Sequence, residues 1–87
     1  MRLEQITYFL RVAEHGNITA AAKSLYISQP ALSKQITLLE QEIGLPLFER
    51  QARGVTLTRA GMQFQKDLKN ILKELENAKK NAVLAGR

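Results

Sequence analysis

The chain has 87 residues, enough for one small core but not two, since compact domains run to roughly 100–150 residues. Its 45% hydrophobic and 24% charged residues are globular values that exclude disorder and fibrous repeats, and with no cysteine there are no disulfides or thiolate metal sites, which suits a reducing cytoplasm. The net charge of +5 suits an acidic partner, yet residues 1–58 carry only a net +1 and residues 59–87 a net +4, so charge alone leaves DNA, RNA and an anionic surface open.

A first helix is expected over about Leu3 to His15, where Leu3, Ile6, Phe9, Leu10 and Ala13 recur at spacings of three and four. Gly16 ends it with a left-handed cap, and Asn17 or Thr19 opens a short second helix of about Ala20 to Tyr26. The run Ala20-Ala21-Ala22 has so little bulk that another helix can approach closely. Ser28 is a good N-cap and Pro30 is tolerated in a first turn, so a third helix starts there and ends at Gly44, with Pro46 blocking continuation. Leu32, Ile36, Leu39 and Ile43 fall on one buried stripe, and Pro30, Ser33, Lys34, Thr37 and Gln41 on the other side. That outer side is short-chained and polar, with one cation and no carboxylate.

Pro46 to Arg50 and Val55 to Leu57 read as the strands of a small hairpin around Gln51-Ala52-Arg53-Gly54. Arg50 and Arg53 sit at its tip, and Gly54 can supply a positive φ. Thr58 then caps a last helix of about Arg59 to Leu84, about 39 Å long, which must project beyond so small a body. Phe64, Leu68, Ile71, Leu75, Ala78, Ala82 and Ala85 alternate spacings of four and three, a heptad seam that calls for a partner. Phe64, Leu68, Ile71, Leu72, Leu75 and Ala78 are the expected dimer contacts. The longest apolar run, Ala82 to Ala85, is four residues, against the ~20 of a membrane span, and Met1 to Leu10 lacks the apolar centre of a secretory signal.

The inventory speaks against catalysis and cofactors. His15 is the only histidine and Asp67 the only aspartate, and the five glycines stand apart, so the residues suit neither a hydrolytic triad, a metal cluster nor a phosphate loop. Tyr8, Phe9, Tyr26, Phe48 and Phe64 are too dispersed for a base-stacking platform, and core packing is the expected role of most of them, the phenylalanines above all.

Helix, short helix, turn, longer helix and basic-tipped hairpin is the order of a mainly α, winged helix-turn-helix domain over residues 1–58, followed by a linker and dimerisation helix over 59–87. The DNA major groove admits one helix, and the outer face of residues 29–43 carries the side chains to read it. Gln29 can pair with adenine, Lys34 can donate to guanine, Ser33 and Thr37 can reach bases or phosphates, and Pro30 and Ala31 can meet a thymine methyl. Thr19 and Ser28 can cap helices and meet phosphates together. Arg53 beside Gly54 suits the narrow minor groove of A·T-rich DNA, while Arg50 suits either that groove or an ion pair with Glu40 or Glu42. Two other readings remain: a winged helix used for protein contact, which calls for an apolar outer face on the third helix, and a last helix whose lysines at 66, 69, 73, 79 and 80 meet a membrane surface or RNA.

The stretch Phe9 to Gly61 closely resembles the N-terminal DNA-binding region of LysR-type transcriptional regulators. Ala20-Ala21-Ala22, Leu25, Ser28-Gln29-Pro30-Ala31-Leu32-Ser33, Leu39-Glu40, Gly44, Leu47-Phe48-Glu49-Arg50, Leu57-Thr58 and Ala60-Gly61 carry the resemblance. Ile18 and Ile43 depart from the usual phenylalanine and leucine. The resemblance implies a bacterial, cytoplasmic, DNA-bound homodimer paired through its linker helices, tetrameric at full length, reading an imperfect palindrome with an A·T-rich interior. It also implies a larger C-terminal domain that binds a small co-inducer; nothing in these residues corresponds to it, so the chain is expected to bind DNA without an effector response.

Overall fold

Each helix boundary is set by a local hydrogen bond that the sequence supplies. In the computed structural model, which describes residues 1–87, α1 spans Leu3–His15 and α2 spans Ile18–Leu25, with α3 over Gln29–Ile43, β1 over Phe48–Gln51, β2 over Gly54–Leu57 and α4 over Arg59–Ala85. Gly16 closes α1 at φ 66°, its N–H bonded to the Val12 carbonyl at 2.8 Å, and Gly44 closes α3 at φ 89°. Ser28 Oγ accepts from the Ala31 N–H, and Thr58 Oγ1 accepts from the Gly61 N–H at 3.0 Å, as their residue types suggest.

Both boundaries of the second helix differ from the sequence reading, and the hairpin strands run over Phe48–Gln51 and Gly54–Leu57 rather than Pro46 to Arg50 and Val55 to Leu57. The second helix begins at Ile18 rather than Ala20, because Asn17 Oδ1 accepts the Ala20 N–H at 2.8 Å and takes the cap that Thr19 could have supplied. Tyr26 lies outside that helix in the left-handed region, φ 59° and ψ 37°, and closes it where a glycine is usual.

The three short helices pack on one another, and the antiparallel β1–β2 hairpin covers the open side of that cluster. Its register pairs Phe48 with Leu57 and Gln51 with Gly54, so only Ala52 and Arg53 form the tip. The core is Phe9 and Val12 from α1, Ile18, Ala21 and Ala22 from α2, Leu32, Ile36 and Leu39 from α3, then Leu47, Phe48, Val55 and Leu68. Phe9 is its centre, with the Phe48 ring 5.2 Å away and the Phe64 ring 5.1 Å away, edge-on at 60°. Leu3, expected in the stripe of α1, is exposed at the helix start, and Val12 takes an inward position instead. Ile43, at the end of the α3 stripe, is half-buried.

Phe64 and Leu68 draw the first three turns of α4 into the core built by residues 1–58. Gly61 makes this possible: a Cβ there would overlap the Leu47 carbonyl oxygen. From Lys73 to Ala85 every residue is exposed, so about 20 Å of helix projects from the body, and the molecule measures 53 × 28 × 20 Å.

Candidate nucleic-acid interface

The outer face of α3 is open along its whole length. Pro30, Ala31, Lys34, Thr37 and Gln41 are exposed, and Gln29 and Ser33 are half-buried at the near edge. Gln29 Nε2 donates to Ser33 Oγ at 2.7 Å, one turn away. This bond fixes the amide while leaving its carbonyl oxygen and second N–H free, and those are the acceptor and donor an adenine edge in the major groove requires. Lys34 takes part in no ion pair: the three present join Met1 to Glu42, Arg2 to Glu4 and Lys79 to Glu76.

The charge pattern around this face is one-sided. Residues 15–39, covering α2, the turn and most of α3, contain no aspartate or glutamate, and Lys23 and Lys34 are both exposed and unpaired. Beyond that stretch Glu42 is engaged by the chain's N-terminal ammonium at 2.9 Å. A polyanion approaching residues 15–39 therefore meets two unpaired lysines and no carboxylate.

The hairpin is held at a fixed place beside α3. Glu40 Oε2 accepts from the Leu47 N–H at 2.6 Å and the Phe48 N–H at 3.2 Å, joining the last turn of α3 to the start of β1. The carboxylate is thus spent on the backbone and forms no ion pair with Arg50, which disposes of that alternative; Glu42 is not its partner either. On the other strand the Val55 N–H donates to the Gly16 carbonyl at 2.9 Å. A Cβ at Gly54 would overlap that same oxygen, so close approach as well as its φ of 156° reserves the position for glycine. Thr58 completes the frame, its hydroxyl donating to the Pro46 carbonyl at 2.8 Å and its N–H to the Leu47 carbonyl at 3.0 Å. Arg53 is left exposed on the mounted tip, whereas Arg50, expected there too, lies within β1 opposite Val55, exposed on the flank of the hairpin.

Thr19 is exposed in the first turn of α2 with its hydroxyl unspent, since Asn17 has the cap. Ser28 is exposed and serves as a cap. These residues, the outer face of α3 and the hairpin tip come from three separate segments of sequence.

The heptad seam of α4 divides in two. Leu68 is 3% exposed and Phe64 packs on Phe9, so both are consumed within the chain, and Leu68 is unavailable to a partner. Leu72 is half-buried, whereas Ile71 at 55%, Leu75 at 42% and Ala78 face outwards. No helix is long and apolar enough to cross a membrane.

The roles of Glu40 and Tyr26 were missed by sequence reasoning, whereas Asn17 was one of the two caps it offered for α2. Tyr26 is 95% exposed, while Phe9 and Phe48 are in the core.

Comparison with known proteins gives a consistent result. A family model described as the bacterial regulatory helix-turn-helix protein, lysR family, matches residues 3–62. The transcriptional regulator ClcR of Pseudomonas putida is 47% identical over 87 residues, all of this chain but 30% of ClcR, and BudR of Klebsiella aerogenes is 53% identical over 72 residues, 83% of this chain and 50% of BudR. This chain thus spans under a third of ClcR and half of BudR. Among solved structures, a CbnR_DBD–DNA complex superposes with a TM-score of 0.92 at 41% identity, all of both chains being covered. A BenM_DBD/catB site 1 DNA complex gives 0.87 at 35% identity over 99% of this chain and 95% of that one.

Proposed function

The chain belongs to the lysR family of bacterial regulatory helix-turn-helix proteins, and on that premise we propose that it is the DNA-reading part of a transcriptional regulator rather than an enzyme. Its function is sequence-specific binding of double-stranded DNA. The observation that carries this reading is the outer face of α3, open, free of carboxylates and furnished with an unpaired lysine and a half-satisfied glutamine.

In this account α3 enters the major groove. Gln29 addresses adenine through its free oxygen and N–H, and Lys34 donates to guanine. Ser33 and Thr37 reach bases or phosphates, and Pro30 and Ala31 supply apolar contact to a thymine methyl. Thr19 and Ser28, at the starts of α2 and α3, receive phosphates where backbone N–H groups already point outwards. The hairpin sends Arg53, with Gly54 holding the strand behind it, into the minor groove, which is narrowest and most electronegative over A·T-rich sequence. Arg50 reinforces it at the phosphates. Glu40 and Thr58 keep the two readers at a fixed separation.

The projecting part of α4 pairs with a second copy through Ile71, Leu72, Leu75 and Ala78, giving a homodimer whose winged bodies read two halves of an imperfect palindrome. In a longer protein the dimers associate as tetramers and a C-terminal domain supplies the response to a small co-inducer; this chain acts at the bacterial nucleoid, without a cofactor of its own.

The test is a titration of labelled duplexes. Gln29→Ala or Lys34→Ala should cost ~1–3 kcal/mol on a cognate site and blur its sequence preference. Equal losses on cognate and random duplexes would contradict base reading by these residues.

A further inference from the structure

Tyr26 is the one residue other than glycine in this chain with a positive φ, at 59°. The left-handed region crowds a side chain against its own carbonyl, so a bulky aromatic there is an outlier that calls for a reason. The turn supplies none. The Tyr26 N–H bonds to the Lys23 carbonyl at 3.2 Å and the Ile27 N–H to the Ala22 carbonyl at 3.1 Å, a helix-closing pattern that glycine satisfies with less strain, as Gly16 and Gly44 do at the ends of α1 and α3. The core supplies none either: the side chain is 95% exposed, lies outside the hydrophobic cluster, and its hydroxyl has no hydrogen-bond partner in the protein. A strained residue whose side chain serves nothing inside the fold is held for something outside it.

Its position says what. Tyr26 lies two residues before Ser28, the cap of α3, and three after the exposed, unpaired Lys23, within the stretch of residues 15–39 that carries no carboxylate. With α3 in the major groove, the helix before it crosses the sugar-phosphate backbone, so the turn joining them runs along one phosphate wall of that groove. Tyrosine hydroxyls are among the groups that bond phosphate oxygens and set register without reading sequence.

We propose that Tyr26 is a DNA-backbone contact, its phenol donating a hydrogen bond to a phosphate oxygen beside the groove that α3 enters. This rests on the DNA-binding reading given above. The left-handed backbone aims the ring outwards from the turn and holds it there before DNA arrives.

The experiment measures duplex affinity of the parent chain, Tyr26→Phe, Tyr26→Gly and Lys34→Ala at several salt concentrations, with a thermal melt of each. Tyr26→Phe keeps the ring and removes only the donor. It should weaken binding about threefold to tenfold, the value of one hydrogen bond, and equally on cognate and unrelated duplexes. The slope of log affinity against log salt should stay unchanged, since an uncharged phenol releases no counterion. Tyr26→Gly should melt higher than the parent and bind at least as weakly as Tyr26→Phe. If both Tyr26 variants bind like the parent while Lys34→Ala is weakened, the inference falls and the DNA reading stands; if Lys34→Ala is also unchanged, the DNA reading itself falls. A loss with Tyr26→Gly alone, or one confined to the cognate site, would also overturn the phosphate contact.

Discussion

Replacing Ile71 and Leu75 together by lysine should separate the dimer without harming the fold, whereas the neighbouring Leu68 cannot be changed without harming it. Ile71 and Leu75 are 55% and 42% exposed, so roughly half of each side chain remains to be covered by a partner. Full burial of such a side chain is worth ~1.5–3 kcal/mol, so half is worth about 1 kcal/mol. Two copies contribute four such side chains, and removing them weakens association by ~4 kcal/mol, about a thousandfold in the dimer dissociation constant. Leu68, at 3% exposure, should behave oppositely. Leu68→Ala opens a cavity beneath α4 at ~2–5 kcal/mol and lowers the melting temperature by about 10 °C or more. Sedimentation velocity over a range of concentrations, with a circular-dichroism melt of each chain, measures both effects. If the Ile71→Lys, Leu75→Lys chain sediments as the parent does, the exposed half of α4 is not the pairing surface. If Leu68→Ala melts with the parent, the division of the seam is wrong.

Two further substitutions test the frame that holds the hairpin. Gly61→Ala should cost ~2–4 kcal/mol in a urea titration, because the new methyl overlaps the Leu47 carbonyl and displaces the bond it accepts from the Thr58 N–H, whereas Gly44→Ala, with nothing within 4 Å of its Cβ, should cost only the ~1 kcal/mol of a left-handed residue. Equal costs at the two positions would contradict the close approach of α4. Glu40→Ala should leave the Leu47 and Phe48 N–H groups without their acceptor, at ~1.5–3 kcal/mol, and speed hydrogen exchange at those two amides by tenfold or more. Unchanged exchange there would show that the carboxylate does not hold the hairpin.

What the sequence made legible was whatever depends on near neighbours. Ser28, Thr58, Gly16 and Gly44 mark helix ends because a cap bonds within a few residues of itself, and each stands where its type suggested. The stripe Leu32, Ile36 and Leu39 likewise needed only periodicity. Local rules fail where two neighbours suit the same role, as Asn17 and Thr19 both suit the cap of α2 and Asn17 takes it. They fail again over distance. The spacing of Phe64, Leu68, Ile71 and Leu75 marks a face of α4 but not what covers it, and the first two are covered by the chain's own core. Glu40 offered itself as an ion-pair partner for Arg50, yet it bonds backbone groups seven and eight residues on, which no charge pattern records. Tyr26 has an aromatic ring that residue type does not place, and it is the left-handed turn after α2 that carries it into solvent.

Whether α3 reads base edges while the paired copies set the spacing is decided by selection from random duplex DNA at moderate salt, followed by sequencing of what the purified chain retains. An imperfect palindrome should be recovered, its half-sites about one helical turn apart and its interior rich in A·T. Recovery of unselected DNA, with binding that collapses as salt is added, would contradict base reading by Gln29 and Lys34 and leave only neutralisation of phosphate charge.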